Sequence, residues 1–136
     1  MAEDQTLAQI RAYLRTLKLQ KMEKALDEVL SYGARENLPV SKVIERLLAI
    51  EADSLIARRI ERRIKDSKLP ERKLLSDFDF SFQKGIEKSR VMELATLSFV
   101  ERKQGLILAG SSGTGKSHLA KALLLIGCTK LYRCRY

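Results

Sequence analysis

Residues 105–123 read GLILAGSSGTGKSHLAKAL, and the eight at 110–117, GSSGTGKS, decide how the rest of the chain is read. They fit the phosphate-binding pattern G-x-x-x-x-G-K-[ST], which requires a strand before the glycine loop and a helix after it. Leu106-Ile107-Leu108-Ala109 is a short apolar run between Gly105 and Gly110, as a buried parallel strand would be. After Ser117, HLAKALLLIG puts Leu119, Ala122, Leu123 and Ile126 on one face of a helix that Gly127 is expected to stop. A glycine-rich turn matching by chance would need neither flank. Gly110, Gly113 and Gly115 admit backbone conformations closed to residues with a Cβ. The loop, with Ser111, Ser112 and Thr114 at its variable positions, can then wrap an anion and turn its N–H groups inward. The helix start adds partial positive charge. Lys116 is expected to reach the β- and γ-phosphates of a nucleotide, and the Ser117 hydroxyl to ligate Mg²⁺. His118, the single histidine, ends the candidate nucleotide-binding stretch; a structural or surface role suits it better than a catalytic one.

Around this centre, composition sets limits. A chain of 136 residues allows one domain, or a small domain and part of another. No stretch approaches the ~20 apolar residues needed to cross a membrane. The start, MAEDQTLAQ, is acidic and polar and is no signal peptide. Cys128 and Cys134 are too few for a disulfide framework or a zinc site, so a reducing cytoplasm is the expected compartment. The net charge of +9 is uneven, because no Asp or Glu follows Glu101.

The part before the loop reads as helical up to residue 68. Leu7, Ile10, Leu14 and Leu17 have helical spacing within 6–18; Met22, Leu26, Val29 and Leu30 do so within 20–36. Asn37-Leu38-Pro39 breaks the pattern. Ser41 is expected to cap a third, long helix over about 42–67, with Glu45 near the capping-box position. Its second half, ARRIERRIKDSK, carries an Ile56, Ile60, Ile64 stripe. Arg58, Arg62 and Lys65 project opposite, and Arg59 and Arg63 flank the stripe. That cationic face suits phosphates; a solvated face whose stems cover the core is the alternative. Beyond Leu69-Pro70, Phe78, Phe80 and Phe82 alternate as a short extended segment with one buried face would. Residues 86–99 read as a helix, and KLYRCRY at 130–136 as a second strand cut short. The expected domains are a helical module over 1–69, a connector and helix over 70–104, and the start of a nucleotide-binding domain over 105–136.

The stretches LLAIEADSLIARRIERRIKDSKLP (47–70), LSDFDF (75–80) and GLILAGSSGTGKSHLAKAL (105–123) resemble the IstB-like helper ATPases of bacterial insertion sequences. More distantly they are similar to DnaC-type helicase loaders. The resemblance implies an α/β fold, with an N-terminal all-helical module followed by the truncated start of a P-loop (AAA+) parallel sheet. It implies ATP and Mg²⁺ as cofactors, bound at Gly110 to Ser117, with Phe78 to Phe80 near the adenine. It also implies DNA, a transposase and further copies of the protein as partners, with Arg58, Arg59, Arg62, Arg63 and Lys65 as DNA contacts. The family's acidic Walker B position has no counterpart after Glu101, so no catalytic residue is assigned. The chain alone is expected to bind ATP poorly if at all and not to hydrolyse it at a useful rate. The other readings are a helicase loader, a non-enzymatic DNA- or partner-binding helical module with a vestigial loop, and, last, a small P-loop kinase.

Overall fold

The computed structural model describes residues 2–81 and 85–136. Its elements are six α-helices and one short 3₁₀ turn: α1 (Ala2–Thr16), α2 (Gln20–Arg35), α3 (Val40–Asp66), the turn Leu75–Asp77, α4 (Lys88–Ala95), α5 (Ser98–Glu101) and α6 (Lys116–Thr129). Two compact units divide inside α3, one covering Met1–Arg58 and the other Arg59–Tyr136.

In the first unit, Leu14, Leu26, Val29 and Leu47 form the buried centre, with Leu7, Ile10, Met22 and Val43 packed on it. Gly33 lets α2 approach α3 closely, since a Cβ there would stand 2.6 Å from Val43 Cγ2. The N-terminus of α2 is capped from a distance. Leu19 offers no side-chain cap, and the Glu51 carboxylate of α3 accepts the Lys21 and Met22 N–H groups at 2.9 and 3.0 Å. A negative group on free N–H donors satisfies them and complements the helix dipole. Leu17, expected inward, is exposed, because α1 has already ended at Thr16. Ser41 does not cap α3. The helix starts at Val40, with the Pro39 carbonyl accepting the Lys42 N–H at 2.9 Å, and Glu45 pairs with Lys42 instead.

In the second unit, α6 lies between two apolar clusters. On one side, Ile64, Leu125 and Cys128 gather Ile60, Leu69 and Cys134. On the other, Phe78, Val91 and Leu119 gather Leu75, Phe80, Ile86 and Leu108. Ile56, the first residue of the expected isoleucine stripe, is exposed. Residues 86–99 do not form one helix: Leu97, with φ 58°, separates α4 from α5. Phe82 of the phenylalanine series lies outside the described residues.

The expected parallel sheet is not formed, and the α/β reading is corrected accordingly: the described residues contain helices and no strand. A strand needs a neighbour for its ladder. Leu106–Ala109 has none; Ile107 stands 90% exposed, and Leu108 packs sideways onto the Phe78 cluster. The second expected strand, 130–136, turns back over α6. Tyr132 N–H donates to Gly127 O at 3.0 Å, Cys134 packs beside Cys128, and Tyr136 N–H donates to Ser67 O at 2.7 Å. Its alternation is used up against helices. Gly127 does not stop α6 either: it is buried within the helix, where a Cβ would stand 2.8 Å from Cys134 Sγ.

Candidate phosphate loop and its surroundings

The loop 110–115 enters α6 through two glycines in the left-handed region, Gly113 at φ 80° and Gly115 at φ 83°. At Gly115 space forbids a side chain as well, since a Cβ would stand 2.6 Å from Phe78 Cε2. Phe78 is buried and held edge-on by Phe80 and by His118, at centroid distances of 4.8 and 5.5 Å. His118 shares a 2.9 Å hydrogen bond between Nε2 and the Leu74 carbonyl. The phenylalanine connector thus braces the underside of the loop. The first helical hydrogen bond of α6 runs from Leu119 N–H to Gly115 O at 3.0 Å. The N–H groups of Lys116, Ser117 and His118 therefore precede the intrahelical ladder, as at any helix start.

Lys116 folds back over the loop. Its Nζ donates to the carbonyls of Gly110 and Ser111, each at 2.6 Å, and reaches Thr114 Oγ1 at 3.3 Å. Thr114 Oγ1 in turn donates to Ser111 O at 2.8 Å. The ammonium has only neutral oxygens around it and joins no carboxylate among the described residues. Ser112 and Ser117 are exposed on either side of it. No cluster of three potential metal-ligating His, Cys, Asp or Glu side chains occurs among the described residues. A Mg²⁺ ion here would rely on Ser117 and on phosphate oxygens. A left-handed glycine loop, an ammonium without a counter-ion among the described residues and a helix N-terminus together fit a phosphate group.

A cavity of about 660 Å³ opens beside the loop, lined by Gly110, Ser111, Thr114 and Lys116 and floored by Val91, Leu94 and Leu108. Glu87 and Arg90, at the start of α4, also line it. Sequence reasoning missed both, because only the fold brings residue 87 next to residue 110. Glu87 is the carboxylate placed on this cavity. Asp77, Asp79 and Glu101 do not line it.

The expected DNA contacts, Arg58 apart, line two adjoining cavities that share Arg62 and Asp66. Arg59, Arg62 and Arg63 line a cleft of about 660 Å³ together with Arg133 and Arg135, which sequence reasoning did not single out. Lys65 lines another cavity with Glu61, Glu71 and Arg72. Arg58 ends the first unit and donates to Ser54 O at 3.4 Å. On the Lys65 side, Glu61, Glu71 and Arg72 are paired. Arg72 forms a two-point bridge to Glu61 at 2.9 and 2.6 Å, and Glu71 bonds Lys121 and Lys73. The Lys121 ammonium beside Glu71, and to a lesser extent Lys73, holds that carboxyl below the ordinary glutamate range. Arg72 does the same for Glu61.

A lysine-closed glycine loop at a helix start defines an arrangement for holding an anion. Comparison with known proteins narrows the class. The family described as IstB-like ATP binding protein matches residues 12–136. Relatives named as insertion-sequence ATP-binding proteins match as well. That of IS5376 from Geobacillus stearothermophilus is 36% identical over 124 residues, covering 91% of this chain and 49% of the relative. That of IS21 from Pseudomonas aeruginosa is 37% identical over 115 residues, covering 85% and 43%. That of IS232 from Bacillus thuringiensis is 30% identical over 122 residues, covering 90% and 49%. This chain belongs to the IstB-like ATP-binding protein family of insertion sequences. It spans about half the length of the curated relatives it matches. No described helix is long and apolar enough to cross a membrane.

Proposed function

We propose that this chain carries the ATP-binding loop of an insertion-sequence transposition helper that works on DNA with a transposase. The observation that carries the reading is the Lys116 ammonium, held by Gly110 O and Ser111 O at 2.6 Å and paired with no carboxylate among the described residues. Both partners are neutral carbonyls, so an incoming phosphate can replace them with hydrogen bonds in which donor and acceptor are both charged. The glycine loop then supplies inward N–H groups, the start of α6 contributes its dipole, and Ser117 offers one hydroxyl to Mg²⁺. Bound ATP supplies a γ-phosphoryl group that can be lost to water. This chain's residues bind and orient its phosphates. The names of the relatives support the ATP and insertion-sequence parts of this reading. The AAA+ assignment, the transposase, the DNA and self-association rest on the family resemblance and on the cationic α3.

The test is a thermal-shift series with Mg²⁺ and ATP, ADP, AMP or adenosine. Stabilisation should grow with the number of phosphates and vanish in Lys116→Ala. Equal shifts with adenosine and ATP, or shifts unchanged in Lys116→Ala, would overturn the reading.

A further inference from the structure

We propose that Arg133 and Arg135 complete a phosphodiester-binding cleft with Arg59, Arg62 and Arg63, so that a nucleic-acid backbone binds between two chain segments and not along one face of α3. The inference rests on the DNA part of the function proposed above and assigns its residues.

Sequence distance hides the cleft, since 69 positions separate Arg63 and Arg133 by their numbering. It is built by the ending of α6. That helix closes with Leu131 in the left-handed region at φ 63°; Leu131 N–H donates to Cys128 O and Tyr132 N–H to Gly127 O, each at 3.0 Å. The segment after it turns back toward α3, where Cys134 joins Ile60 and Ile64 in one apolar cluster and Tyr136 N–H reaches Ser67 O. Cys134 pointing into that cluster puts its neighbours Arg133 and Arg135 out toward the cleft, and both are exposed. On α3, residues 59, 62, 63 and 66 fall on one helical face by their i, i+3 and i+4 spacing.

Charge decides what such a cleft takes. Five guanidinium groups and a single carboxylate, Asp66, line it. The one ion pair there is loose, from Arg62 Nε to Asp66 at 3.9 Å, with the Arg62 side chain 84% exposed. Arg59, Arg63, Arg133 and Arg135 join no ion pair among the described residues. The neighbouring cavity is the internal control. There Glu61 pairs with Arg72, and Glu71 bridges to Lys73 and Lys121 beyond the lining. Arg62 and Asp66 line both cavities, so the contrast lies in Glu61 and Glu71 on one side and, on the other, four arginines that join no ion pair among the described residues. Guanidinium groups grouped without counter-ions repel one another, and a polyanion relieves that repulsion. Arginine's planar fork favours phosphate oxygens in two-point contact. Among the described residues no aromatic ring and no Asn or Gln lines the cleft, so they offer neither a base-stacking platform nor an amide to read adenine. The ligand is the sugar-phosphate backbone, held without sequence preference.

The test compares three forms of the whole chain on one fluorescein-labelled duplex of mixed sequence, by anisotropy across a range of KCl concentrations. They are the unaltered chain, Arg133→Ala/Arg135→Ala, and Arg58→Ala/Lys65→Ala. The unaltered chain should bind with a slope of log K against log salt that reflects several phosphates, at about 0.9 per phosphate on duplex DNA. Loss of Arg133 and Arg135 should weaken binding at least tenfold at low salt and flatten the slope by about 2. Loss of Arg58 and Lys65 should change both by much less. Equal losses in the two variants, or no loss in the Arg133/Arg135 variant while the unaltered chain binds, would overturn the cleft. No binding by the unaltered chain would overturn the DNA reading itself. Far-UV circular dichroism of the Arg133/Arg135 variant should match the parent, because both side chains are exposed. Arg133→Lys/Arg135→Lys should restore most of the salt slope but less of the affinity, separating charge from fork geometry.

Discussion

Replacing Gly115 by alanine tests the architecture of the loop more sharply than any other single change. Two independent penalties meet at that atom. The residue sits at φ 83°, where a Cβ costs about 1–2 kcal/mol. The added methyl would also stand 2.6 Å from Phe78 Cε2 and 3.2 Å from Cζ. Phe78 cannot easily swing aside, being buried and wedged between Phe80 and His118. Overpacking of that kind costs a further ~1–3 kcal/mol. The sum, about 2–5 kcal/mol, is a large part of the 5–15 kcal/mol typical of a folded domain. In urea unfolding followed by far-UV circular dichroism, with a slope of roughly 1.5 kcal/mol/M, the midpoint should fall by at least about 1 M. In a Phe78→Leu background the steric part should disappear and the loss shrink toward the strain term alone, a coupling read by a double-mutant cycle. A midpoint shift under about 0.3 M in the Phe78 parent would refute the close packing of connector against loop. So would equal losses in the two backgrounds.

Other outcomes follow from the same structure. Leu26→Ala, at the most buried side chain of the first unit, should cost about 2–5 kcal/mol in the same urea assay. Glu71 is held below the ordinary glutamate range by Lys121 and Lys73. Its contribution to stability is therefore present above the unfolded-state pKa and lost as pH falls through the lower folded-state value; Glu71→Gln should flatten the acid limb of a melting-temperature profile below about pH 4.3. Burial, with Cys128 beside it, pushes the Cys134 thiol up to about 11. Its thiolate fraction at pH 8 is then about a hundredfold below that of a free cysteine, so iodoacetamide should label it slowly in the folded chain and fast in urea, as followed by mass spectrometry.

The helices of the first unit were legible because 3.6-residue periodicity governs amphipathic packing, and Leu14, Leu26 and Val29 reached the core as their spacing required. Helix ends were harder. Every described α-helix is followed by a non-glycine residue in the left-handed region: Lys18, Asn37, Lys68, Leu97, Lys103 and Leu131. A reading that looks for glycine after a helix misses such ends, as it did at Leu97, and misplaces others, as at Gly127. That glycine serves the close approach of Cys134 instead. The strands failed for a different reason. Apolar alternation records that one face is buried but not what buries it, and Cys134 is covered by helices α3 and α6. At the loop, the spacing of Gly113, Gly115 and Lys116 fits a phosphate-binding pattern in the sequence, whereas Phe78 beneath Gly115, Glu87 on the cavity beside Gly110 and the shared cleft of Arg63 and Arg133 depend on tertiary contacts that no local pattern encodes.

The central claim is that Lys116 and the glycine loop hold nucleotide phosphates. Its most direct measurement is a titration of this chain with a fluorescent ATP analogue in Mg²⁺, beside Lys116→Ala of matched circular dichroism. The account predicts weak but saturable binding by the parent, competed by unlabelled ATP. It predicts at least a tenfold loss in the variant, corresponding to the ~1.5–3 kcal/mol of a charge-assisted hydrogen bond. Equal affinity of the two proteins, or no saturable binding by the parent, would contradict it.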